Sequence, residues 1–558
     1  MAIEQGRSPV VSASLAVPEI MDESWTVPGM LRNAVQRYKT RPFLEVVGGV
    51  SETYEQTWAN VSYLARCFFG LGVRRQHHVL IMLANTHLAV HGWLAVNLLN
   101  AVDVSINTGY KGQSLEHAAN QCGAEVLMTT SDHLPVVLRS ASRLSSLRTV
   151  ILMDDALDVV LPRTTSLCIL RFSELRAAPP ECVADQVAMP WDIGSVIYTS
   201  GTSGPAKGVM MPHGQISLLA KLAATKTGLK QDDIFFSFYP MYHMAGKFMS
   251  VLATLSVGGK VVLDMGFTPS EWLNRIRQYG ATVTAAHGPM LEMVYAQPPS
   301  ASDTDHCLRL IRTAPFPKRI AAAFEERFGV RGMEVWGLTE AGVVCWVDPS
   351  EPLRVGCCGR ADANWYELAV VDSVTDMKLP PGEVGEFVVR PKMPWTMMRG
   401  YLGMPEKTLE SWRNFWFHTG DCGYIDSDGY AHFVDRAKER IRRRAENISA
   451  GDIEAAALMH PLVAEAAAVG VPSGFEGDDD IMLCVVMKPG GLLDPVELLR
   501  FLVGELPHFM APRYLRQVTE LPRTVTGKLQ RARLNNMFSE PDVWDRKRAD
   551  VALRDLII

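Results

Sequence analysis

The sequence predicts a large N-terminal α/β domain with parallel or mixed sheets, followed by a small α+β C-terminal domain. Three observations carry that prediction. The chain has 558 residues, well beyond the ~250–300 at which a single core stops growing. Short apolar runs alternate with amphipathic helical stretches through most of its length, the pattern of an α/β sheet covered by helices. Near residue 423 the texture changes: Gly423-Tyr-Ile-Asp-Ser-Asp-Gly-Tyr-Ala-His-Phe-Val has the form of a hairpin turning at Asp428-Gly429, and a run of basic residues follows it. The expected division is residues 1–434 and a C-terminal domain at 440–558, joined through 435–439, the latter domain long enough to fold around its own core.

Apolar runs predict strands at Val79–Leu83, Glu125–Met128, Ser195–Tyr198, Lys260–Leu263, Ala281–Ala285, Met333–Trp336 and Glu386–Val389. Helical periodicity predicts Trp58–Leu71, Gln215–Thr227 and Pro269–Tyr279 between them. The stretch Val79–Val104 is the most hydrophobic. It is broken by Asn85, His87, His91, Asn97, Asn100 and Asp103, a polar load no bilayer-spanning helix would carry, so it is assigned to buried helix and strand. In the C-terminal part the expected order is helix Ala450–Met459, strands Ala464–Val471 and Ile481–Met487, helix Pro495–Leu506 and strand Tyr514–Val518.

Charge excludes some partners. With 55 Lys and Arg against 61 Asp and Glu, the net charge is −6. No general positive field is available for nucleic acid or an anionic membrane, and anionic ligands must be met by local basic groups. The ten cysteines form no Cys-x-x-Cys pair and fit reduced thiols in a cytoplasmic enzyme. The first 25 residues contain Glu4, Glu19, Asp22 and Glu23 and no apolar segment of the secretory kind. His87 and His91 have helical metal-ligand spacing but no further ligand context, and are assigned to structure.

The strongest chemical signal is Tyr198-Thr-Ser-Gly-Thr-Ser-Gly-Pro-Ala-Lys-Gly208, directly after a strand. Its glycines expose backbone N–H donors, its hydroxyls add more, and Lys207 supplies a point charge, which suits a polyphosphate. Lys207 is followed by Gly208 rather than Ser or Thr, so this is not a Walker A loop. Further along, Trp336-Gly-Leu-Thr-Glu340 ends an apolar run in an aromatic face, a close-approach glycine, a hydroxyl and a hard carboxylate oxygen.

These segments resemble the adenylate-forming superfamily, which includes acyl-CoA synthetases, peptide-synthetase adenylation domains and firefly-type luciferases. Tyr239-Pro-Met-Tyr-His-Met-Ala-Gly246, Trp416-Phe-His-Thr-Gly-Asp421, Asp435-Arg-Ala-Lys438 and Thr524-Val-Thr-Gly-Lys528 match in the same order. The resemblance spans nearly the whole chain and implies an ATP-dependent acid–CoA ligase: carboxylate and ATP give acyl-AMP and pyrophosphate, then CoA gives acyl-CoA and AMP. It implies that Thr199, Ser200, Gly201, Thr202, Ser203, Gly204 and Lys207 cradle the phosphates. Trp336, Gly337, Leu338 and Thr339 would face the nucleotide, Asp421 and Arg436 would bind the ribose or phosphate, and Glu340 with Thr202 would hold Mg²⁺. Lys528 would bridge the carboxylate and α-phosphate in the first step, where removing such a contact costs on the order of 10²–10³ in rate. Met241, His243, Gly288, Ala314, Gly337 and Ala341 would line the acyl pocket, with His243 as a gate. Lys438 matches the hinge, and Arg442, Arg443, Arg444, Ala445 and Glu446 would face CoA.

Two positions depart from the family pattern. Ala445 stands where a glycine is usual, and a positive φ there would cost about 1 kcal/mol or more. Ile311-Arg-Thr-Ala-Pro-Phe-Pro317 replaces a Gly-Gly-Ala-Pro segment, so Arg312 and Thr313 are expected to reshape the acyl or nucleotide pocket. Phe324-Glu-Glu-Arg-Phe-Gly-Val330 and Arg443-Arg-Ala-Glu-Asn-Ile-Ser449 resemble most the carnitine/crotonobetaine–CoA ligase branch. A betaine would want an aromatic cage, for which Tyr242, Trp336, Trp346 and Trp395 are the candidates. Medium-chain, aryl and steroid acids stay open as substrates, and a homodimer as assembly. The rival readings are an enzyme that loads a separate carrier protein and a catalytically silent nucleotide-binding relative.

Overall fold

A computed structural model describes residues 15–19, 21–155, 167–184, 186–199, 206–436, 441–443, 446–448, 450–475, 478–522 and 529–556. Two large sheets organise the first 430 residues. One has nine strands in the order Arg360–Ala361, Gly342–Trp346, Arg331–Leu338, Leu310–Thr313, Val283–Ala286, Ile234–Ser237, Lys260–Leu263, Pro42–Val46 and Ser51–Thr53. The six strands from Arg331–Leu338 to Pro42–Val46 run parallel, and antiparallel pairs close both edges. The other has eight, in the order Gly400–Tyr401, Lys207–Pro212, Ile193–Thr199, Val102–Ser105, His78–Ile81, Val126–Thr129, Thr149–Leu152 and Cys168–Arg171.

Why these runs become central strands is plain from their burial. Val102–Ser105, Val126–Thr129, Val283–Ala286 and Leu310–Thr313 are buried at every position, as parallel strands covered on both faces must be. The helix His213–Lys226 is likewise almost wholly buried. The polar breaks in Val79–Val104 are explained locally. Asn97 takes the Trp93 indole N–H at 3.0 Å and donates to the Gly194 carbonyl at 2.6 Å, and His91 meets the Glu52 carboxylate at 2.8 Å.

A smaller sheet joins Tyr366–Val371, Gly385–Pro391, Trp416–Ile425 and Trp412–Arg413, with Ala431–Arg436 paired to Trp416–Ile425. The hairpin turns where the sequence placed it, with Gly429 at φ +83°. Beyond it, Ile441–Arg443 pairs with Glu446–Ile448, and Val463–Pro472, Asp479–Met487, Tyr514–Gln517 and Trp544–Asp545 form a four-stranded sheet. Helices Ala450–Leu458 and Pro495–Glu505 pack with this sheet around a core of Ile453, Leu483, Val485, Leu499, Leu502 and Leu515. Among the described residues no helix is long and apolar enough to cross a membrane.

Candidate active site

The phosphate-motif segment joins the antiparallel strands Ile193–Thr199 and Lys207–Pro212, which pair Thr199 directly with Lys207. Ser200, Gly201, Thr202, Ser203 and Gly204 lie outside the described residues. At the rim, the buried Thr199 hydroxyl has no partner among the described residues, and Thr199 lines the cavity described below. The Lys207 ammonium sits 4.1 Å from the centroid of the Tyr401 ring. Tyr401 in turn donates its hydroxyl to Glu340 Oε1 at 2.8 Å, so a single side chain ties Lys207 to the candidate metal ligand.

Glu340 is 4% exposed, and its backbone is fixed from two sides. Gln215 Nε2 donates to the carbonyls of Thr339 (2.9 Å) and Glu340 (3.1 Å), and the Met398 N–H donates to the Glu340 carbonyl at 2.8 Å. Gly337 is required by close approach, because a Cβ there would lie 2.2 Å from the Gly342 carbonyl oxygen. The Trp336 indole N–H donates to Asp421 Oδ2 at 3.0 Å, and its ring packs edge-on to Phe387. Strand register sets Asp421 directly opposite Arg436.

A cavity of about 350 Å³ connects these groups with the proposed acyl region. Thr199, His243, Ala314, Gly337, Leu338, Thr339, Glu340, Trp336 and Asp421 all line it. Met241, Gly288 and Ala341 are not among its lining residues; that wall is made instead by Tyr239, Met244, Ala245, Met249, His287 and Arg312. Met241 is held behind it, donating its N–H to Asn85 Oδ1 at 3.0 Å, while Asn85 Nδ2 grips the carbonyls of Tyr239 and Asp264 at 3.0 and 2.9 Å. Asn85 thus pins the His243 segment.

His243 Nδ1 accepts the Ala245 N–H at 3.2 Å, capping a short helix that continues into the π-helical turn Lys247–Leu252. Burial, reinforced by the Arg442 charge, lowers His243 to about 4, so the ring is neutral at pH 7. His287 is pushed down in the same way, by burial first and then by Arg442 and His243.

The four aromatic candidates for a cation cage do not converge. Trp336 alone of them lines the cavity. Trp346 is buried elsewhere with its N–H on the Val343 carbonyl, Trp395 is 42% exposed, and Tyr242 borders a separate small recess. His91 is engaged by the Glu52 carboxylate, and among the described residues no group of three or more His, Cys, Asp or Glu is arranged to hold a metal ion.

A second cavity, about 450 Å³, opens between the two parts of the chain. Tyr110, Gln113 and His117 form one side, and Asp452, Ala455, Met459, Glu505 and Phe509 form the other. Thr199, His243 and Thr339 line both cavities. Polar bonds that cross between the two parts include Lys111 to the Val503 carbonyl, Gln113 Nε2 to Met459 Sδ at 3.2 Å, and Arg442 Nη2 to the Ala314 carbonyl at 3.0 Å.

The basic segment divides unexpectedly. Arg443, expected to face CoA, is 6% exposed and spans the C-terminal core, donating to the Ala511 carbonyl at 2.7 Å and lying 3.7 Å from Asp480. It is therefore committed to that domain's interior. Arg442 points the other way, to the first cavity. Lys438, Arg444, Ala445 and Lys528 lie outside the described residues, as does the Glu446 side chain. Sequence reasoning missed Tyr401, Gln215 and Asn85; only Asn85 left a trace, as a polar residue directly after an apolar strand.

A two-part fold, antiparallel strands flanking the phosphate motif and a buried Trp–Asp–Glu chamber suit an AMP-binding enzyme. The AMP-binding enzyme family model matches residues 31–402, and the AMP-binding enzyme C-terminal domain model matches residues 452–528. The chain belongs to the AMP-binding enzyme family. It is 29% identical over 510 residues to the crotonobetaine/carnitine–CoA ligase of Shigella flexneri, covering 90% of this chain and 96% of that one. Among solved structures, o-succinylbenzoate CoA synthetase from Bacillus subtilis, bound with a product analogue, superposes with a TM-score of 0.77 at 22% identity, covering 93% of this chain and 99% of that one. The amide bond synthetase McbA from Marinactinospora thermotolerans gives 0.76 at 25% identity, covering 92% and 99%.

Proposed function

We propose that the chain activates a carboxylic acid as its acyl-AMP in the 350 Å³ cavity and passes the acyl group to CoA through the 450 Å³ cavity. The observation that carries this reading is the shared wall: Thr199, His243 and Thr339 border both spaces, so an acceptor in one reaches an adenylate in the other. Thr199, with its unpartnered hydroxyl, and Lys207 meet the phosphates, Asp421 and Arg436 the ribose, and neutral His243 stands at the junction as a gate.

The donor set at Glu340 fits Mg²⁺, which takes one or two carboxylates together with phosphate oxygens and waters rather than an all-protein cage. Glu340 offers one buried carboxylate with Oε1 already held by Tyr401. When bound, the ion would neutralise charge on the phosphates. Tyr401 fixes the carboxylate, Gln215 fixes its backbone, and Lys528 supplies the charge between the carboxylate and α-phosphate.

In this reading, residues 1–434 bind acid and ATP, 435–439 act as hinge and 440–558 bring Lys528, within a cytoplasmic enzyme. The test is pyrophosphate release across a panel of carboxylic acids with and without CoA, with products identified by mass spectrometry. Acyl-CoA formed only when CoA is present supports the reading. Pyrophosphate release with acyl transfer to an added amine or carrier protein, but never to CoA, overturns its second half; McbA, named an amide bond synthetase, makes the amine arm worth including.

A further inference from the structure

Arg312 stands near the end of the central strand Leu310–Thr313, where parallel α/β sheets bind ligands, and it lines the 350 Å³ cavity. The residue is 3% exposed. Nη1 donates to the Met249 carbonyl in the π-helical turn at 3.0 Å, and the guanidinium carbon lies 5.5 Å from the Phe235 ring centroid. Nη2 is buried and has no hydrogen-bond partner among the described residues. Among the described residues no carboxylate lies within 4 Å of it. The acids that line the same cavity are committed elsewhere: Glu334 to the Phe316 N–H, Glu340 to Tyr401, Asp421 to Trp336.

The fold treats another buried cation differently. Lys247, on the turn that Arg312 touches, is 0% exposed and is paired with Asp103 and Ser105. A buried charge without a counter-ion is expensive, and such charges are found paired unless something else neutralises them. Arg312 lines a ligand cavity and has no carboxylate partner among the described residues, so a ligand there can supply the missing charge. Burial lowers Arg312 only to about 10, which leaves it charged at pH 7.

Building on the acid-activating reading above, we propose that Arg312 is a specificity residue that binds a second, distal carboxylate, and that the natural substrate is a dicarboxylic acid activated at one end. The planar guanidinium suits a carboxylate through its fork of N–H donors. Arg312 and Arg442 both border this chamber, and two cations repel a quaternary ammonium, so a betaine is disfavoured despite the similarity to a carnitine ligase.

The experiment compares glutarate, adipate, pimelate and terephthalate with their monomethyl esters, which keep the shape and lose the second charge, and with 4-(trimethylammonio)butanoate. Pyrophosphate-release kcat/KM is measured for the wild type, R312M and R312K. The wild type is expected to prefer at least one diacid over its monoester by on the order of 10²-fold, because a site built to pair a charge rejects the analogue lacking it. R312M should bring that ratio close to one, and R312K should fall between, keeping the charge without the fork. A wild-type preference for the monoesters or the betaine overturns the proposal. So does a loss in R312M that is equal for diacid and monoester, which would place Arg312 on the reacting carboxylate. Calorimetric binding of the same diacids without ATP separates the two readings. Diacid binding lost in R312M without any pyrophosphate release upholds the subsite and removes the activation chemistry; pyrophosphate release without charge preference does the reverse.

Discussion

Removing one oxygen from Tyr401 isolates the link between the phosphate lysine and the candidate metal ligand. Tyr401 is 4% exposed and sits on the two-residue strand Gly400–Tyr401, paired with Val209 of the phosphate hairpin. Its hydroxyl gives Glu340 a 2.8 Å bond, and its ring faces Lys207. Y401F keeps the ring and deletes the bond. A hydrogen bond to a charged group contributes about 1.5–3 kcal/mol, or roughly 10- to 150-fold in kcat/KM for ATP. Y401L also loses the cation–π contact, worth about 0.5–2 kcal/mol more. Pyrophosphate release should be followed over a Mg²⁺ titration, with thermal melting as a check on folding. The Mg²⁺ requirement of Y401F should move to higher concentration. A folded Y401F within twofold of wild type at limiting and saturating Mg²⁺ would refute the claim that Tyr401 positions Glu340.

The other predictions address separate groups. K247M strands Asp103, which like Lys247 is 0% exposed, and should destabilise the protein by about 3–5 kcal/mol, with most of the loss recovered in D103N/K247M; the denaturation midpoints measure both. His243 and His213 are each lowered to about 4, chiefly by burial, from an unfolded value near ~6.5. The unfolded chain then binds more protons below ~6.5, so their neutral burial favours the fold above that pH and is progressively lost as pH falls towards 4. NMR of histidine-labelled protein should show neither ring titrating between pH 8 and 5, and a midpoint near 6.5 for either refutes its assignment. K528A should abolish acyl-AMP formation while sparing thioester formation from supplied acyl-AMP, and A445G should leave the first step unchanged and spare or speed the second; equal loss of both steps in K528A, or a slower second step in A445G, removes the corresponding role.

Much of the fold was legible because each signal is local. Ile193–Thr199 and Arg331–Leu338 are apolar runs that stop at glycine and hydroxyl residues, and the strand end, the motif and the cavity wall coincide in sequence. The site's supports were not legible, because they come from distant segments. Tyr401 reaches Glu340 from 61 residues away through an edge strand too short to register as a pattern, and Gln215 looked like one more helical polar residue until the helix proved buried on all sides. Arg312 was visible as a departure from the expected Gly-Gly, but its meaning depends on what lies opposite it. That is set by strand register and by the Met249 carbonyl, neither of which a sequence displays.

The alternation of a strand sends Arg442 and Arg443 to opposite faces, and this separates their consequences. Arg443 bonds within the C-terminal part, to Ala511, Phe509 and Asp480, contacts that travel with that domain in any rotation. Arg442 bonds across, to the Ala314 carbonyl beside the acid chamber, so the same rotation must break its contact. R443A should therefore lower the melting temperature and affect both half-reactions through stability. R442A should leave the melting temperature nearly unchanged and alter the acyl-transfer step selectively, by about tenfold for a charged donor on a neutral, partly solvated carbonyl. Single-turnover formation of acyl-AMP and its separate discharge by CoA distinguish the two steps. If R442A slows both equally, the contact with Ala314 shapes the chamber throughout the cycle and does not mark one arrangement of the two domains.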